Sequence, residues 1–166
     1  MSFPVPKDVR APRPFEFVKG MDEIIRTPAR ISDPTQPLVP GEWMKSDAQA
    51  GAVKLGPADT IAAPAVGACV NWTLYTPGNS LTGQSDVLAT LEADLVTGPF
   101  QARTIYFDPT ANFQPGWPLV AIYDATNNRG ILSPLDPDTA TTRQLAAVVG
   151  KVKQPPTAGI LWFECP

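Results

Sequence analysis

Glu92 and Asp94 stand on alternate positions of the run TLEADLVTG, and alternate residues of an extended strand point to the same side. Two carboxyls so placed could share general acid and base work. The same spacing also marks a charged, solvated strand face that blunts edge pairing, and this is the reading adopted for the pair. Asp136 and Asp138 in LDPD have the look of a calcium loop, but the later ligands, the Gly and the closing Glu of an EF-hand do not follow. A Pro-Asp turn accounts for them. Thr60, Ser80 and Ser85 fall in loop-like stretches with no G-x-S-x-G elbow around them and no histidine to activate a hydroxyl, because the chain contains 0 histidines. That count removes catalytic triads and histidine metal sites together. Cys69 and Cys165 are far apart, with no CxxC spacing, so neither a zinc site nor a redox motif is expected. Cys69, inside the apolar stretch VGACVNW, reads as a buried thiol, while sequence alone leaves open whether the two cysteines pair. Phosphate-cradling glycine motifs are absent as well. No enzyme and no cofactor are expected.

The elements that would position any site must come from a chain of 166 residues, the size of one ordinary domain. Charged residues make up 17%, below the roughly 25% usual for soluble domains, so part of the surface is expected to lie against partners. A net charge of -3 argues against nucleic acid as that partner, since phosphate is held by clustered Lys and Arg. No apolar run reaches the roughly 18 residues of a membrane helix, and no leader precedes the Asn71-Trp72-Thr73 sequon, so neither a membrane span nor glycosylation is expected.

The chain divides near Pro40-Gly41. Residues 1–40 hold 8 of the 20 prolines, with 6 basic and 5 acidic groups, against 7 and 11 in residues 41–166. Proline fixes φ and removes an amide donor, so MSFPVPKDVRAPRPFEF should run extended. KGMDEIIRTPAR could make a turn or two of helix before Pro28. Phe3, Val5, Phe15, Phe17, Ile24 and Ile25 give this arm more apolar content than a spacer needs, and they are the candidate partner-binding residues.

Beyond the arm, short β segments are broken by Gly, Pro, Asn and Asp, the pattern of an all-β sandwich or small barrel. Leu91, Ala93 and Leu95 should face inward, with Glu92, Asp94 and Val96 outward. PLVAIYDATNNRGILSPL reads as a hairpin, since Asn127, Asn128 and Gly130 tolerate positive φ. In DPDTATTRQLAAVVG, Asp138 or Thr139 could cap a short helix before a strand begins. Trp43, Trp72, Trp117 and Trp162 lie in or beside these segments and read mainly as core. Trp117, between Gly116 and Pro118, is the aromatic expected to be partly exposed.

The order of segments carries a resemblance across residues 40–166. It comprises the Pro-Gly-Glu-Trp opening at 40–43, AGAVKLG, VNWTLYT, SDVLATLEADLVTGPFQARTIYFDP, the GWPL strand entrance, NNRGILSP and the finish AVVGKVKQPPTAGILWFEC. In this order the chain resembles the decoration, or cement, proteins of tailed-bacteriophage capsids. The resemblance implies a β-barrel or β-tulip domain, made in the host cytoplasm and carried on the outside of the virion head. There it would bridge major capsid protein subunits as a homo-oligomer, dimer or trimer, with the arm laid as a strand on the capsid lattice. The length and proline density of this arm depart from simpler members. A receptor- or glycan-binding module associated with a phage fibre, using Trp117, is the alternative.

Overall fold

Alternating apolar residues closed by turn formers make hairpins, and the clearest is the one formed by β8 (Pro118–Asp124) and β9 (Arg129–Pro134). Its six cross-strand partners run from Leu119 opposite Pro134 to Asp124 opposite Arg129. The chain reverses through residues 125–128, where Asn128 takes a φ of +50°, as the sequence leads one to expect. The computed structural model describes residues 15–20, 25–31, 38–47, 49, 51–69 and 92–166. Within them the protein is all-β, with a single short helix.

The remaining strands are β1 (Phe15–Lys19), β2 (Ile25–Arg30), β3 (Trp43–Ser46), β4 (Ala52–Lys54), β5 (Ala65–Cys69), β6 (Glu92–Thr97), β7 (Phe100–Thr104), β10 (Val148–Thr157) and β11 (Ile160–Cys165). They form a six-stranded sheet in the order β1-β7-β11-β10-β8-β9 and a five-stranded sheet in the order β2-β6-β5-β3-β4. Both sheets curl. The chain leaving β7 turns back onto β9, where Asp108 N donates to Leu132 O (2.8 Å) and Leu132 N to Tyr106 O (3.1 Å). A parallel bridge between Ile31 and Ala52 likewise draws the two ends of the second sheet together. Ala63 N donates to Ala121 O (2.8 Å), which ties the segment between β4 and β5 onto β8 of the first sheet.

Curling creates two cores. The larger lies between the sheets and contains Trp43, Ala68 and Val96 from one side and Phe100, Leu119, Leu132, Leu161 and Phe163 from the other. The smaller, made of Ile31, Leu38, Met44, Ala52 and Leu95, fills the inside of the second sheet's curl. Neighbouring residues of β3 (Trp43, Met44) and of β6 (Leu95, Val96) therefore serve opposite cores. This corrects the expected outward face of β6, for Val96 is fully buried, while Asp94 is half-buried.

The arm boundary is corrected too. Phe15, Ile31 and Leu38 are buried in these cores, so residues 15–20, 25–31 and 38–40 belong to the domain rather than to an arm ending at Pro40. The expected helical turns give way to strand over 25–30. Pro28 is tolerated there because β2 is an edge strand that, among the described residues, pairs only with β6, where a missing N–H can face away from the ladder. The short helix α1 (Thr142–Leu145) is capped by Thr141, not by Asp138 or Thr139. Gln144 completes the capping box, its Oε1 accepting from Thr141 N (2.8 Å), and the missed signal is the T-x-x-Q spacing. Asp136 and Asp138 form the expected turn, Asp138 N donating to Asp136 Oδ1 (3.0 Å).

Candidate interaction surface

β1 is the rim of the first sheet: among the described residues it pairs only with β7. Its inner face is aromatic. Phe15 meets Phe17 edge to face at 5.0 Å between ring centroids, Phe17 meets Phe100 at 5.2 Å, and Phe15 also touches Phe163 at 6.2 Å. The first two pairs are perpendicular, setting the positive ring edge against the negative face and holding the rim strand to the core.

A bulge in β1 then alters which way its charges point. Glu16 stands opposite Arg103 and Lys19 opposite Gln101, with the register shifting between Phe17 and Lys19. Arg103 and Gln101 are alternate residues of β7 and share a face, so Glu16 and Lys19 share it as well, although they are three apart in sequence. Phe17 and Val18 are left half-buried while Glu16 and Lys19 are exposed. Further across this outer face the Arg103 guanidinium lies 5.1 Å from the centre of the Trp162 ring, and Lys153 pairs with Glu164 at 3.2 Å. That ion pair is open to water and contributes little.

No family model, no curated protein and no solved structure matches this chain. The surface is therefore read from its own geometry.

Of the candidate arm residues, Phe15 lies in β1 as a buried member of this chain's own core cluster, which corrects its reading as a partner contact, while Phe17 is half-buried and packs against that cluster. Ile25 takes its place in β2 opposite Thr97. Phe3, Val5 and Ile24 lie outside the described residues, as do Trp72, Ser80 and Ser85. Trp117 is half-buried and rests against the larger core, its N–H donating to Gln114 O (3.1 Å) and its carbonyl accepting from Val152 N (2.9 Å). Trp43 is core, and Trp162 is half-buried on the outer face, its Nε1 without a hydrogen-bond partner among the described residues. Cys165 is a free, buried thiol, so it is not disulfide-bonded.

A hollow of about 690 Å³ opens where the turn after β7 meets the β8–β9 hairpin. The Arg129 guanidinium covers the Tyr106 ring at 4.6 Å, and burial raises the Tyr106 phenol above its ordinary value. Asp124 is held below the ordinary carboxylate value; some burial opposes this, but hydrogen bonds from Asn127 Nδ2 (2.7 Å) and Thr126 N (2.9 Å) prevail. Asp108 is tied in the same way by Thr110 N (2.9 Å) and its hydroxyl (2.7 Å). The carboxylates of Asp108 and Asp124 are thus engaged in their own turns.

Sequence reasoning missed Glu42. It is fully buried beside Trp43, and burial raises its pKa despite the Lys54 ammonium 3.0 Å from Oε1. The contact is close enough for an ion pair but falls short of a well-aligned hydrogen bond. Val39 N donates to its other oxygen at 3.4 Å. Nothing in GEWMKS distinguishes this carboxylate from a solvated one, because its burial depends on how the second sheet curls. Among the described residues no three acidic, cysteine or histidine groups come together as a metal site would require.

Proposed function

We propose that this chain is a non-enzymatic structural protein of a tailed-phage virion. It binds the outside of the head, bridges major capsid protein subunits and acts as a homo-oligomer. One observation carries the reading: the chain passes from its proline-dense segment directly into β1, the rim strand of the first sheet. Residues 1–14, with Phe3 and Val5 set around Pro4, are thereby attached at an edge of the domain, where an extended segment can reach another protein's sheet. Proline lowers the ordering cost of such a segment before it binds. The acidic balance and the 0 histidines support a protein partner over nucleic acid or a reacting substrate.

The decisive deletion removes residues 2–14 and stops there, because Phe15 is already core. The truncated protein should keep its circular-dichroism melt and lose co-sedimentation with expanded capsids lacking the native copy. Undiminished occupancy of those capsids would refute the reading.

A further inference from the structure

The geometry points to the free edge of β1 as a docking site for a second copy of this chain, paired antiparallel about a two-fold axis between Phe17 and Val18. The inference rests on the homo-oligomer part of the proposed function and is independent of the capsid. β1 ends the order of the first sheet and pairs with β7 alone among the described residues, so no described strand covers its outer backbone edge, where another strand can add. A two-fold pairing uses the same patch twice, so the patch must complement itself.

The bulge supplies that complementarity. In an antiparallel pair, residues directly opposite each other point to the same side of the sheet. In a regular strand, residues three apart point to opposite sides, and Glu16 could not face Lys19 of a second copy. Here the shift opposite Ala102 brings Glu16 and Lys19 to one face, since their partners Arg103 and Gln101 alternate on β7. With Glu16 of each copy set opposite Lys19 of the other, two reciprocal ion pairs form on the outer face. Phe17 of each copy then meets Val18 of the other on the inner face.

The rim strand has the need as well as the fit. Glu16 and Lys19 are exposed and neither forms an ion pair with another described residue. Phe17 and Val18 are half-buried, and a second copy would cover the remainder beside the Phe15, Phe17 and Phe100 rings. Charges and a bulge on a rim strand serve equally to repel other strands. Opposite signs, spaced so that two copies match, distinguish docking from repulsion.

The test uses the full-length chain in sedimentation velocity over a dilution series. Wild type should dimerise. Glu16→Lys and Lys19→Glu each replace two attractions by two like-charge contacts and should weaken the dimer at least roughly tenfold. An equimolar mixture of the two variants should restore it, because every 16–19 pair between unlike copies is then Lys with Glu. Glu16→Lys sets a cation opposite Arg103 of its own chain, so folding is checked by a thermal melt. Glu16→Gln, which adds no charge there, should weaken the dimer by a smaller factor. Variants that weaken the dimer without rescue on mixing overturn this register. An oligomer indifferent to both variants overturns the interface and leaves self-association standing. A wild type that stays monomeric overturns both.

Discussion

Replacing Gly130 by Ala tests where the two sheets touch. Gly130 lies on β9 opposite Tyr123, is buried, and faces the backbone of Trp43 on β3. A methyl group built on it would overlap the Trp43 carbonyl oxygen and stand 3.1 Å from the carbonyl carbon. Its backbone is not in the left-handed region, so the substitution carries no conformational penalty of its own. On an unstrained backbone, Gly→Ala stabilises by about 0.4 to 1 kcal/mol through the unfolded chain. Against this stands overpacking, typically about 1 to 3 kcal/mol. The upper part of that range applies, because the obstacle is backbone and because Trp43 is itself pinned against Phe163, 6.4 Å between ring centroids. The balance is a loss of about 2 kcal/mol, or a midpoint lower by roughly 4 to 8 °C for a chain of this size. Urea unfolding measures it. Gly56→Ala is the control: no atom lies within 4 Å of its added carbon, and it should be neutral or slightly stabilising. If Gly130→Ala proved as stable as wild type, the sheets would not meet at Trp43, and the account of the larger core would fall with that contact.

Two further outcomes follow from buried ionisable groups. The raised pKa of Glu42 means that the unfolded carboxyl releases its proton near the ordinary 4.5 while the folded one still holds it. Across that window the unfolded state binds fewer protons, so wild-type stability relative to Glu42→Gln should fall as pH rises from about 4.5 and level off once the folded group ionises. Paired urea titrations at several pH values measure it, and a difference that grows with pH would contradict the burial. Desolvation pushes the Cys165 thiol up to about 12, leaving little thiolate at pH 8. Iodoacetamide should therefore label the Cys165 peptide, read by mass spectrometry, only when denaturant opens the fold. Labelling of the native protein at the rate of an unfolded peptide would refute it.

Much of the β architecture was legible locally. The Asn127 to Gly130 turn, the entry at Trp43, the strand through Val148 and the closing run Ile160–Cys165 are set by residues that tolerate or refuse particular backbone angles, and a hairpin needs only its neighbours. Alternation also placed Leu95 inward. What it left invisible was the second face of β6, because periodicity reports a strand's two sides without saying what covers the other one.

The sequence by itself determined an all-β chain without histidine chemistry, led by a proline-dense, apolar segment, since composition and turn residues act wherever the chain goes. Only the tertiary structure decided that Phe15, Ile31 and Leu38 belong to the cores, that Glu42 is sealed from water, and that a bulge turns Glu16 and Lys19 to one face. Each of these depends on pairing with strands distant along the chain, as β1 with β7 and Ile31 with Ala52. The energy of such contacts comes from surface buried between partners that no local window of residues contains.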